Sequence, residues 1–258
     1  MTRARSGRGA AALVAALTWL GVASAQSAAQ SVPVRALSSN GVRAALEQLA
    51  PQCERTVGRK LAIEFGTSAS IKQRIEGGEA VDVAFVTSEV VAELGKNGHL
   101  AASSITPLGR AGIGIGTRIG ARTYDIGSAE KIKAALLAAR SVTYAQDGAS
   151  RPHIERMFER LGIAEQMNAK TMLEQGSVRA AARVVDGEAE LLLTLISEIL
   201  PVADMDLLGP LPSEFQSYIS FDAAVGAHPS DPSAARAFVA CVASPLGASV
   251  FAEKGIER

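Results

Sequence analysis

The order of apolar segments along this chain predicts an α/β fold with a largely parallel sheet, divided into two lobes. Three observations carry that reading. Short apolar runs alternate with amphipathic runs of helical period. The strand–helix pairs fall into two groups. Two long extended segments, 111–116 and 218–224, stand where the chain would cross into a second lobe and return.

The elements follow in order. Residues 32–37 read as a strand, and Ser38, Ser39, Asn40 and Gly41 as a turn. The next helix carries Val42, Ala45, Leu46, Leu49 and Cys53 on one face, at helical spacing. A strand over 61–65 leads through Gly66, Thr67 and Ser68 into a helix stopped by Gly77 and Gly78. A third strand, 81–86, runs through Thr87 and Ser88 into a helix that ends near Gly95. In the second half, Ser128 caps a helix with Ile132, Ala135, Leu136 and Ala139 inward, and 142–145 is a strand. The loop 146–151 precedes Pro152, which suits a first helical turn, and Gly162 ends that helix. A helix over 178–185, a strand over 190–196 and an extended run over 217–226 follow. Asp231 and Pro232 open a last helix that buries Phe238, Cys241 and Val242 and rejoins the first lobe.

The first 25 residues predict export. Arg3, Arg5 and Arg8 precede an apolar run over 10–22, and the small residues Ala23, Ser24 and Ala25 close it. That run is shorter than the roughly 20 residues of a spanning helix. The 26 basic and 26 acidic residues of the chain balance. Loss of the leader removes three arginines and leaves a slightly acidic chain, without the basic footprint that nucleic acid requires. The only tryptophan, Trp19, lies in the leader, which removes one aromatic platform for a sugar.

One feature recurs three times: a strand, then a small polar turn, then a helix. The turns are Ser38–Ser39–Asn40, Thr67–Ser68 and Gly148–Ala149–Ser150. Parallel strands bring such turns to one side of a sheet, where ligands bind. Helix starts expose unpaired N–H groups that favour an anion. The same residues are also ordinary helix caps, so the turns by themselves leave both roles open. Five or six donors at about 1.5–3 kcal/mol each would reach the roughly 8 kcal/mol of micromolar binding.

At these residues the chain resembles a known family, the periplasmic substrate-binding proteins of ABC transporters, and within it the molybdate-binding branch. The resemblance rests on the order of residues 34–44 (VRALSSNGVRA), 61–80 (LAIEFGTSASIKQRIEGGEA), 81–88 (VDVAFVTS), 109–116, 196–202 (ISEILPV) and 208–212 (LGPLP), and covers nearly all of the exported chain. It implies a type II periplasmic-binding-protein-like fold with two crossing hinge segments. The first lobe would span 26–108 and 222–258, the second 109–221, after a leader over 1–25. It implies a small anionic ligand such as molybdate or tungstate, held by Ser38, Ser39, Asn40, Thr67, Ser68 and Thr87 from the first lobe. Ser150 and Ser197 would join from the second, and Arg151 stands beside them as a further candidate of this chain's own. The partner would be an inner-membrane ABC permease, the location the periplasm, the state a monomer. Two departures from that branch count against molybdate itself: Ile196–Ser197–Glu198 stands where it often carries a tyrosine, and Arg151 where a small residue is expected. Arg151 is left with three roles, pairing with a carboxylate ligand, pairing with Glu198, or facing solvent. A small organic carboxylate and a sensory role are the alternatives.

No catalytic or cofactor pattern stands out. His99, His153 and His228 are scattered without metal-ligand spacing, and Gly112, Gly114, Gly116 and Gly120 do not fit a dinucleotide fingerprint. No nucleophile–base pair is visible, so an enzyme is not expected. Cys53 and Cys241 lie on apolar stripes of the first and last helices, where a disulfide or two buried thiols would both fit. Mass analysis of the exported protein is expected to find its first residue at or near Gln26; Met1 on that protein would overturn the leader reading.

Overall fold

The computed structural model describes residues 32–258; the leader expected over 1–25 lies outside them. The first group of elements is β1 (Val34–Ser39), α1 (Arg43–Val57), β2 (Leu61–Gly66), α2 (Ser68–Glu76), β3 (Val83–Thr87) and α3 (Ser88–Lys96). A single 3₁₀ turn, Asn40–Val42, joins β1 to α1. The long strand β4 (Thr106–Arg118) leads to α4 (Ala129–Ala138), β5 (Val142–Ala145), α5 (Arg151–Arg160), α6 (Ala164–Asn168), β6 (Thr171–Glu174) and α7 (Ser177–Val185). Then come β7 (Leu191–Leu195), α8 (Ile196–Ile199), β8 (Met205–Pro210), β9 (Tyr218–Val225), α9 (Pro232–Val242), α10 (Pro245–Glu253) and β10 (Ile256–Glu257).

The strands form one hydrogen-bonded path in the order β2-β1-β3-β9-β4-β7-β5-β6, with β8 and β10 also on β4. The two ends of the path are parallel: β1 pairs with β2 and β3, and β5 with β6 and β7. The middle is antiparallel, because β4 and β9 run against their neighbours. The expected parallel sheet therefore holds for each lobe and is broken where the chain crosses between them. The first half of β4 pairs with β9, Ala111 opposite Ile219. The second half pairs with β7 and β8, Ile113 opposite Leu195. At the changeover the Gln216 side chain does what a neighbouring strand would do. Its Oε1 accepts from Ile113 N–H at 2.9 Å and its Nε2 donates to the Ile113 carbonyl at 3.0 Å.

The amphipathic stripes sit where their spacing puts them. Ala45, Leu46, Leu49 and Cys53 of α1 are buried, and Gly58 ends the helix in the left-handed region at φ 70°. Ile132, Ala135 and Leu136 of α4, and Ile154, Met157 and Phe158 of α5, are likewise inward. β3, β5 and β7 are buried at every position, as strands covered on both faces should be.

Several expectations need correction. Ser38 and Ser39 complete β1 instead of opening the turn. The helix at Pro232 is not the last, since α10 and β10 follow it and β10 pairs with β4. Ser244 caps α10 and Pro245 opens it, a signal present in the sequence. The short edge strand β6 has no such signal: Met172 and Leu173 are exposed and only Glu174 is buried.

Cys53 of α1 and Cys241 of α9 are joined by a disulfide, with 5.7 Å between their α-carbons. It ties the returning C-terminal segment to the first helix across 188 residues of sequence. Replacing both cysteines by alanine is expected to lower unfolding stability by about 2–4 kcal/mol in denaturant titration; an unchanged midpoint would show that α9 docks by packing alone.

Candidate functional site

The C-terminal ends of β1, β2, β5 and β7 meet in one gap, and their turns supply its walls. Ser39, Thr67, Ser68, Ser150, Ser177, Thr194 and Glu198 line a small cavity together with Phe221 and the main chain around Gly148. About 20 Å³ of it is open to water, room for little more than one molecule. All of its serines and threonines are buried.

Local geometry places each group. Ser39 ends β1 in extended conformation, and its Oγ accepts from Gly41 N–H at 3.2 Å, which leaves its own proton free to donate. Gly41 has to be glycine: a β-carbon there would lie 2.4 Å from Phe221 Cζ and 3.1 Å from Leu195 Cδ1. Thr67 caps α2 by accepting from Ser70 N–H at 3.1 Å. The Ser68 Oγ accepts from Thr87 N–H at 3.1 Å, so that hydroxyl too keeps its proton for another partner.

The lobes touch across this gap. Thr67 Oγ1 donates to Asp147 Oδ2 at 2.7 Å, and Gly176 N–H donates to Asp147 Oδ1 at 3.1 Å. Thr67 follows β2 in the first lobe; Asp147 and Gly176 follow β5 and β6 in the second. Gly176 holds φ 81°, and a β-carbon there would stand 3.9 Å from both Asn40 Nδ2 and Thr67 Cγ2. A protein carboxylate thus already occupies the hydroxyl of Thr67.

Among the described residues, Glu198 is the only ionisable one on the small cavity. Its Oε1 accepts from Ser177 Oγ at 2.7 Å, and its Oε2 accepts from the Thr194 hydroxyl. Burial pushes its carboxyl above the ordinary glutamate range, and the hydroxyls of Thr194 and Ser177 hold it down by less. Glu198 and Ser177 also border a second, larger cavity of about 430 Å³. That chamber is lined from the first lobe by Asn40, Arg43 and Ala44, and from the second by Val178, Ala181, Ser197 and Pro201 among others.

The sequence-based candidates separate accordingly. Ser39, Thr67, Ser68 and Ser150 share the small cavity, whereas Asn40 and Ser197 border the larger one. Ser38 is fully buried in β1, with its hydroxyl on the Ser39 carbonyl, and Thr87 meets the site only through its N–H on Ser68. Arg151 does not pair with Glu198. Its Nε bonds Glu155 Oε1 at 2.8 Å and its Nη1 the Gln146 carbonyl at 2.9 Å, one turn along and just before its own helix. Sequence reasoning missed Arg43, Asp147, Ser177 and Thr194, and met Glu198 only as a partner for Arg151. The Gly176–Ser177 helix start was a visible signal of the same kind as the other turns.

Two lobes on a shared pair of crossing strands, with polar turns facing one gap, define a solute-binding fold. The chain belongs to the bacterial extracellular solute-binding protein family, whose model matches residues 34–257. It is 30% identical over 227 residues to an aconitate isomerase from a Pseudomonas species, covering 86% of each chain. Among solved structures it is similar to the periplasmic molybdate-binding protein of Azotobacter vinelandii, with a TM-score of 0.75 at 16% identity, covering 87% of this chain and 99% of that one. A sulfate-binding protein of Mycobacterium tuberculosis is similar with a TM-score of 0.67 at 16% identity, covering 87% and 86%.

A carboxyl whose folded value is raised binds its proton more tightly folded than unfolded. Glu198 therefore lowers stability as pH climbs from the unfolded glutamate value, about 4.3, to its higher folded value. Glu198→Gln is expected to raise the melting temperature near neutral pH and to change nothing below about pH 4. A pH-independent difference in thermal melts would show that the carboxyl titrates normally.

Proposed function

We propose that this chain is an exported solute-binding protein that closes its two lobes on a small organic carboxylate. The observation that carries the reading is the composition of the small cavity: hydroxyls of Ser39, Ser68 and Ser150 directed by helix starts, with one carboxyl, Glu198, among them. Hydroxyl and amide donors suit an anion, and each bond to a charged group contributes about 1.5–3 kcal/mol. The relative named for an aconitate reaction supports a carboxylate as the ligand class. The leader-like first 25 residues and the extracellular family support capture in the periplasm, with an ABC permease as the recipient.

The neutral donor set also suits the oxyanion expected from sequence, with molybdate and sulfate binders of the same fold as support for that second reading. Closure selects the ligand because only the closed form brings donors from both lobes onto it. Calorimetry with mono-, di- and tricarboxylates, molybdate and sulfate separates the two. A carboxylate is expected to bind, and Ser39→Ala or Ser150→Ala to weaken it by about tenfold or more. Binding of molybdate or sulfate alone would overturn the carboxylate reading, and affinity untouched by both substitutions would overturn the site.

A further inference from the structure

The two cavities share a wall, and that wall is the hydrogen-bonded pair Ser177–Glu198. On one side are the hydroxyls of the small cavity. On the other, the larger chamber offers the half-buried Arg43 guanidinium and the Asn40 amide. It also offers Ser197, 3% exposed, whose buried hydroxyl has no hydrogen-bond partner. Arg43 is held only by an exposed pair with Glu47, a contact worth little, and by the face of Phe65. The carboxylates of Glu47 and Asp186 also line this chamber, both on exposed residues where water screens them.

We infer that Glu198 moves a proton along the carbon skeleton of an unsaturated polycarboxylate that spans both cavities, shifting its double bond. The inference rests on the carboxylate reading above. One carboxylate of the substrate sits among the hydroxyls of Ser39, Ser68 and Ser150. A second extends toward Arg43, Asn40 and Ser197. The carbons between them then lie against the wall, at Glu198. Its carboxylate takes a proton from the methylene carbon flanked by a carboxylate and the double bond. That C–H pair becomes the new C=C bond, and the old C=C pair moves to the far carbon. The far carbon then takes a proton back from the Glu198 carboxyl, whose proton exchanges with water between the two steps. No oxidant or reductant is needed, and Glu198 ends as it began.

The parts match the chemistry. A carboxyl pushed upward by burial is a stronger base than a surface glutamate. Ser177 and Thr194 fix its orientation. The hydroxyls around the first carboxylate stabilise the charge that spreads onto it as the C–H bond breaks. Glu198 is then a catalytic residue, and Ser177 and Thr194 are positioning residues.

The test uses the exported chain with cis-aconitate in D₂O, followed by proton NMR, beside calorimetry of the same samples. The native chain is expected to bind cis-aconitate, to exchange its methylene protons for deuterium and to form the trans isomer. Glu198→Gln is expected to bind it but to lose about 10²–10⁴-fold in rate, with Glu198→Asp falling between the two. Binding without exchange by the native chain would overturn the inference and leave the capture function standing. Exchange that survives in Glu198→Gln would take the role from Glu198. Failure to bind any carboxylate in the calorimetric panel would remove both readings.

Discussion

Strand β4 belongs to both lobes, and everything at the site depends on that. Its first half is laddered to β9 and its second to β7 and β8, so one strand fixes the register of two sheets. The Gln216 amide closes the ladder at the changeover, on the edge of Ile113 that falls between the pairings with β9 and β8. A backbone group left unpaired there would carry the cost of a lost hydrogen bond. With this junction in place, the ends of β1 and β2 face those of β5 and β7 across a single gap. Without it, the same turns would be caps on two unrelated surfaces.

The gap is unusual for an anion site because it holds carboxylates of its own. Asp147 takes the Thr67 hydroxyl and the Gly176 N–H, and so spends donors from both lobes on a contact between them. Glu198 stands at the border of the two cavities with its oxygens on Ser177 and Thr194. An ionised ligand beside an ionised Glu198 would be repelled at close range. The hydroxyls of Ser177 and Thr194 ease that conflict by donating to its two oxygens. Burial at the same time raises its affinity for a proton, which suits the group to take one from carbon. Binding and chemistry therefore need not be alternatives on this fold, since one set of donors can serve a captured anion and a developing negative charge.

Local rules made much of the framework legible. The stripe Ala45, Leu46, Leu49, Cys53 follows from helical period, the buried runs of β3 and β7 from strands covered on both faces, and the turns at Ser39, Thr67 and Ser150 from capping chemistry. What escaped was short or at an edge. β6 exposes Met172 and Leu173 because it closes the sheet, and α6 has only five residues. The Glu155 partner of Arg151 lies one turn along the same helix, a spacing that could have been read from the sequence.

The sequence by itself determined most of the strand–helix alternation, the polar turns at its junctions and the two cysteine-bearing faces. Each of these depends on residues near one another in the chain. Only the tertiary structure decided that Asp147 meets Thr67 from 80 residues away, that Cys53 reaches Cys241, and that Glu198 forms the wall between two cavities. Those contacts arise from how two lobes fold back on shared strands, and hydrophobic period and capping preference carry no information about which turns will then face each other.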